Sequence, residues 1–156
     1  MPTDAKDTAK PKEFPDTSKP LTAMARSFIW DTDRIVVYPV PDPGAAAASL
    51  LNIPVMRAPK DLTIKKVTYT PHAAWIAAAP ANDGAVTLKR ANAGTPVVSL
   101  SVVTALAAAS VNDMGVPDAT TSHISEGQFL TLDVVANGTA NAPVGGALII
   151  EYQYDY

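Results

Sequence analysis

The chain contains no cysteine, which excludes disulfides, thiolate metal sites and cysteine nucleophiles. A disulfide-free chain of 156 residues suits assembly in a reducing cytoplasm. Aromatic side chains are scarce at 6% and charged ones at 17%, below the roughly 25% charge of an average soluble domain. A surface short of charge is often a surface that something covers. Positive charge is missing from the whole second part: all twelve Lys and Arg lie at or before Arg90, and Ala91 to Tyr156 holds six acidic residues and no basic one. The first ninety residues therefore carry +3 and the remainder −6. A nucleic-acid binder gathers basic charge on one face, so no nucleic-acid partner is expected. Copies or partners meeting through complementary patches fit the asymmetry better. The longest uncharged stretch, Ala91 to Asn112, is broken by Gly94, Pro96 and several Ser and Thr, so no membrane span is expected. The N-terminus offers Pro, Asp and Lys where a secretion signal has an apolar run.

What is present is period-two alternation. Leu130, Leu132 and Val134 alternate with Thr131 and Asp133, and Leu148, Ile150, Tyr152 and Tyr154 alternate with Ile149, Glu151 and Gln153. Each pattern predicts a strand with one buried face. The turn-rich loop between them, ending at Gly145-Gly146, predicts an antiparallel hairpin whose second strand lies inside a sheet. Further strands are expected at Arg34–Tyr38, Leu50–Met56, Leu62–Tyr69, Ala85–Arg90, Val98–Val102 and Ala119–Ile124. Pro54 implies an edge or a bulge, because proline cannot donate to a ladder. Lys65-Lys66 interrupts the alternation between Ile64 and Val67, which predicts a bulge there. Ala45–Ala48 and Thr104–Ser110 are Ala-rich enough for short helical turns, and His72–Ala81 reads as an Ala-rich connection carrying Trp75. Eight strands about ten residues apart predict an all-β, eight-stranded antiparallel jelly-roll sandwich.

Ahead of the sandwich, residues 1–26 read as an extended N-terminal arm, with residues 27–156 as the β-sandwich domain. Four prolines interrupt any helix there, and nine charges fall between Asp4 and Arg26. Phe14, Leu21 and Met24, scattered among those charges, are expected to contact a neighbouring surface. Phe28 and Trp30, at the junction with the body, complete the expected partner-binding set. The body is expected to be a homotrimer, because Ala91–Asn112 offers more apolar surface than a monomer tolerates.

No catalytic signature emerges, and no cofactor or metal is expected. His72 and His123 lack the further ligands that zinc requires, and Asp31-Thr32-Asp33 lacks the glycine and distal glutamate of a calcium loop. Glu126 and Asp133 fall on opposite faces by parity, a poor catalytic pair. There is no GxSxG, HExxH or phosphate-cradling glycine loop. Tyr152, Tyr154 and Tyr156 could form a sugar-binding strip, though alternating tyrosines more often fill a core rim or a subunit contact. Asn137-Gly138-Thr139 matches a glycosylation acceptor but reads as a turn.

Four segments together resemble a known family: Leu62 to Pro71 (LTIKKVTYTP), Gly84 to Arg90 (GAVTLKR), Ile124 to Asp133 (ISEGQFLTLD) and Ala147 to Gln153 (ALIIEYQ). They resemble the head decoration, or cement, proteins of tailed bacteriophages, small trimeric jelly rolls on the capsid; the likeness covers roughly residues 60 to 154. It implies a structural virion protein, made in the host cytoplasm, on the outer surface of the capsid. There a trimer would brace neighbouring subunits of the major capsid protein, with an arm that can run across the shell. The other reading the residues allow is a glycan- or receptor-binding jelly roll of a phage fibre or spike.

Overall fold

Antiparallel pairing accounts for every strand in the computed structural model, which describes residues 33–44, 49–78, 81–91, 94–138 and 143–155. Among the described residues there is no helix and there are eleven strands. They are β1 (Arg34–Val40), β2 (Leu50–Arg57), β3 (Leu62–Pro71), β4 (Trp75–Ala78), β5 (Gly84–Arg90) and β6 (Pro96–Val102). After these come β7 (Thr104–Leu106), β8 (Asn112–Asp113), β9 (His123–Ile124), β10 (Phe129–Ala136) and β11 (Gly146–Tyr154). The arm, its boundary at residue 26, the run Asp31-Thr32 and the Ala45–Ala48 turn lie outside the described residues.

The first sheet has the order β1-β11-β3-β8, with β9 also on β3; the second has the order β2-β10-β5-β6. A separate ribbon pairs β4 with β7. Because β8 and β9 both lie against β3, they occupy one strand position in two pieces. Eight positions then nest as β1 with β11, β2 with β10, β3 with β8 and β9, and β5 with β6. A long ribbon folded on itself and wrapped into two sheets is a jelly roll. This nesting corrects the expected hairpin. β10 and β11 both alternate as read, but β10 pairs β2 and β5 while β11 pairs β1 and β3. The connection between them crosses from one sheet to the other.

Both sheets supply one face to a single core. Ile64, Val67, Tyr69, Leu148 and Ile150 come from the first sheet, and Val86, Leu88, Leu130, Leu132 and Val134 from the second. Burying each such side chain contributes roughly 1.5–3 kcal/mol. Bulges keep the pattern in step where the sequence breaks it. Lys66 pairs Glu151 and Ile64 pairs Tyr152, so Lys65 is the extra residue that returns Ile64 to the inside. Pro54 sits on edge strand β2 beside a register shift, where a missing N–H is tolerated.

A second irregularity in β2 has a side-chain lock. Asn52 adopts φ 55°, a left-handed conformation that asparagine accepts more readily than most residues. Its N–H donates to Asp133 Oδ1 at 2.7 Å, and Asp133 Oδ2 lies 2.5 Å from Lys89 Nζ. Both charged side chains of that pair are only 16% exposed. Asp133→Ala is expected to cost about 2–4 kcal/mol, since it strands a poorly solvated lysine and frees the bulge amide. Urea denaturation of the variant checks this.

Two Ala-rich segments depart from expectation. Thr104–Leu106 is strand, paired with Trp75–Ala78, and Trp75 is fully buried. A helix of one or two turns is marginal by itself; here the same residues gain a ladder with β4, and Leu106 packs on the core. The indole meets Tyr69 edge-on, ring centroids 6.3 Å apart, so the supposed connection carries a main core anchor.

Candidate assembly surface

The registers place four strand ends together. β1 ends at Val40 opposite Gly146, and β3 ends at Pro71, also opposite Gly146. In the second sheet β10 ends at Ala136 opposite Gly84, and β6 ends at Val102, also opposite Gly84. The connections 41–49, 72–83, 103–111 and 137–145 therefore all leave from one end of the sandwich. Their only Asp, Glu, Lys or Arg residues are Asp42 and Asp83. Both acids are engaged within that end. Asp42 accepts from Gly145 N–H at 3.0 Å and lies 3.2 Å from His72 Nε2. Asp83 accepts from Asn137 Nδ2 at 2.7 Å, and its carbonyl accepts from Asn137 N–H. This charge-poor end exposes large apolar side chains: Ile76 is 69%, Val103 45% and Val111 72% exposed.

The opposite end is charged. Arg57, Lys60, Asp61, Arg90, Glu126 and Asp155 gather where β2, β5 and β11 finish. Asp155 accepts from Thr63 Oγ1 at 2.8 Å and lies 2.8 Å from His123 Nδ1, while Asp61 accepts from the N–H groups of Asp155 and Glu126. Arg90 donates to the carbonyls of Thr120 and Thr121. The turn there is set by Asp118, whose carboxyl is held below its usual range by hydrogen bonds from the Thr120 hydroxyl and N–H.

Each described residue weighed for chemistry has a structural position. The two histidines lie at opposite ends, each half-exposed and paired with an aspartate. Asp133 locks the β2 bulge, and Glu126 is in an exposed turn at the charged end. Tyr152 belongs to the core and Tyr154 packs on it, ring centroids 5.6 Å apart, beneath the Arg34 guanidinium. The tyrosines are thus a core rim, one of the two readings that alternation favoured. Asn137-Gly138 is a turn. Phe14, Leu21, Met24, Phe28, Trp30 and Tyr156 lie outside the described residues.

The gathering of four charge-poor connections goes beyond what Ala91–Asn112 alone leads one to expect. The signal is in the chain: 43–56, 67–82 and 134–150 are equally free of Lys, Arg, Asp and Glu. Only the strand order reveals that these runs meet.

Tyr69 closes this end from inside, its hydroxyl donating to the carbonyl of Val144. Burial, with the Asp42 charge adding, pushes its pKa well above the ordinary tyrosine value. Tyr152 is also raised, first by burial and then by its hydrogen bond to Tyr154. The folded state holds these protons more tightly than the unfolded chain does. Their contribution is therefore whole below about pH 10 and is lost as pH rises past that value. Stability is expected to fall steeply above about pH 10, less steeply in Tyr69→Phe but not to zero slope, because Tyr152 remains. Urea midpoints in buffers from about pH 8 to 11 check this.

The fold is thus that of an antiparallel jelly roll with one charge-poor and one charge-rich end. No protein-family model matches the chain, and no curated protein matches it. Two solved structures of infectious bursal disease virus are similar to it. The structure of the Gt strain shares 13% identity over 80% of this chain and 34% of that one, with a TM-score of 0.38. A mutant VP2 protein in derived T=1 particles shares 12% over 80% of this chain and 32% of that one, with a TM-score of 0.33. The chain spans about a third of the length of either.

Proposed function

We propose that this chain is a structural virion protein, a decoration protein that sits on the outer surface of a phage capsid as a homotrimer. Its work is to bridge neighbouring subunits of the major capsid protein. The observation that carries the reading is the presence of two separate exposed apolar surfaces on one small sandwich. One is the charge-poor end. The other is the outward face of β1, where Ile35 and Val37 stand beside Ile149 and Glu151 of β11. A protein that meets both its own copies and a lattice needs more than one such surface. The four segments that resemble phage decoration proteins coincide with β3, β5, β9–β10 and β11, which supports the same reading. Against a glycan-binding module stands the placement of the aromatics: Trp75 and Tyr152 are inside.

Phe14, Leu21, Met24, Phe28 and Trp30 are the proposed anchors on the shell. Twenty-five extended residues span about 80 Å, enough to reach an adjacent capsid subunit. A chain shortened to begin at Ser27 is expected to keep its unfolding temperature and oligomeric state yet bind undecorated capsids at least ~10-fold more weakly. Phe14→Ala and Leu21→Ala should each reproduce part of that loss. Co-sedimentation with undecorated capsids measures it; unchanged binding by the shortened chain would show that the arm is no anchor.

A further inference from the structure

We infer that the open edge of β1 is a strand-pairing site whose occupant is β1 of a second copy, the two strands running antiparallel about a two-fold axis. This goes beyond the proposed trimer. A strand paired with its own equivalent joins two chains and closes, so on a shell it ties one trimer to the next. A sheet edge is a row of unpaired backbone groups that recruits another strand unless something blunts it. Among the described residues, the other edges of the two sheets are blunted. β2 carries Pro54 and two register shifts, β6 starts at Pro96 with a shift beside it, and β8 and β9 are two-residue pieces. β1 instead pairs β11 over seven residues with no shift, and Ile35 to Val40 holds no charge.

The registers give the groups that this edge offers. On β3 the carbonyls of Val67, Tyr69 and Pro71 accept from Met114 N–H, Asn112 Nδ2 and Ala109 N–H, so these residues turn their backbone away from β11. Antiparallel ladders alternate, so Gly146, Leu148 and Ile150, which lie opposite them, bond β1 at Val40, Tyr38 and Val36. Ile35, Val37 and Pro39 therefore face the open edge, and Pro39 has no N–H to give. A pairing centred on Val36 sets Ile35 against Val37 of the second copy, and Val37 against its Ile35. Every N–H and carbonyl of those residues is then used, and each Pro39 falls at a ribbon end opposite Asp33. Reversal selects a copy as the occupant. β1 has Asp33 and Arg34 at one end and its proline at the other, so the same strand run backwards sets each charge against an uncharged residue. The two Arg34 side chains, each opposite a Tyr38, stand about 13 Å apart along the ribbon. Glu151, beside Ile35 on β11, is about 14 Å from its counterpart across three strand spacings, beyond a Debye length. Ile35 and Val37 of both copies, exposed in the single chain, join into one apolar patch, while half-buried Val36 meets Val36 on the inner face.

The chain has no cysteine, so disulfide trapping in the full chain reads this register. The two Val36 residues form a non-hydrogen-bonded pair with Cα atoms about 4.5 Å apart, within the span of a disulfide. With oxidised glutathione as the oxidant, Val36→Cys is expected to run mostly as a covalent dimer on a non-reducing gel. Ile35→Cys and Val37→Cys should each stay uncrosslinked alone and cross-link when mixed. Both positions are exposed, so this second arm does not depend on how well Val36→Cys folds. Val116→Cys, in an exposed loop, sets the level of chance collision. Val37→Lys added to Val36→Cys should cut the dimer by at least ~10-fold, because a lysine on an edge opposes pairing. Cross-linking no higher than that of Val116→Cys in both arms overturns the contact. Sedimentation velocity of the wild-type chain keeps this apart from the trimer. Trimers without cross-links remove this contact and leave the trimer standing; cross-linked pairs from a chain that forms no trimer do the reverse.

Discussion

Replacing Trp75 with alanine is expected to cost the domain about 3–5 kcal/mol, the range for emptying a large aromatic site. The indole is fully buried, meets Tyr69 edge-on and lies against Gly84 at the start of β5. Alanine leaves a cavity that the β4–β7 ribbon and the sandwich must collapse to fill. The same site resists filling from the other side: a Cβ on Gly84 would stand 2.6 Å from Trp75 Cζ2 and 2.8 Å from the carbonyl oxygen of Val135. Gly84→Ala is therefore expected to cost about 1–3 kcal/mol through overpacking. The two losses should sum to less in combination, because the cavity relieves the ring contact though not the backbone one. Guanidinium denaturation of both single variants and the double variant checks the cycle; strict additivity would mean that Gly84 and Trp75 do not share the site.

Deleting Leu148–Tyr156 is expected to abolish folding altogether. β11 is central in its sheet, so its loss removes the ladder partner of both β1 and β3. It also removes Leu148, Ile150 and Tyr152 from the core, at roughly 1.5–3 kcal/mol each. A domain of this size has only about 5–15 kcal/mol in total. The shortened chain should show no cooperative thermal transition by calorimetry. A sharp transition would mean that the sheet closes without its central strand.

How far the fold was legible depends on the reach of each signal. Alternation is local, and it placed Leu130–Val134, Leu148–Tyr154 and the other long strands within a residue or two of their observed ends. Backbone chemistry is local as well, so Pro54 and the Lys65-Lys66 interruption marked irregularities that the registers contain. Pairing is not local. A strand alternates identically whether its partner is the next strand or one a hundred residues away, so the β10–β11 hairpin was a natural misreading. The length of 137–145 was the available warning, since hairpin loops usually hold two to five residues. Gly145-Gly146 close that connection. They serve close approach: a Cβ on Gly145 would stand 2.5 Å from the Val40 carbonyl, and one on Gly146 would collide with that of Thr70.

Composition misled where propensity and tertiary context disagree. Thr104–Ser110 has helix-favouring alanines, yet Thr104–Leu106 pairs with β4, with Leu106 opposite Trp75 and packed on the core. The candidate surface was half legible for the same physical reason. The charge-poor segment Ala91–Asn112 pointed to a covered face, but Leu100 in its centre packs on the core. The exposed residues, Val103 and Val111, become a surface only with Ile76, which the topology brings from another connection.

The central claim is that this jelly roll braces a shell, and the thermal stability of the shell tests it most directly. Undecorated capsids would be heated by differential scanning calorimetry with and without a saturating amount of the full chain. The account predicts saturable uptake in multiples of three copies and a clear rise in the temperature at which the shell comes apart, because a bound bridge stabilises the state that it binds. Capsids that take up no chain, or that bind it and come apart at an unchanged temperature, would contradict it.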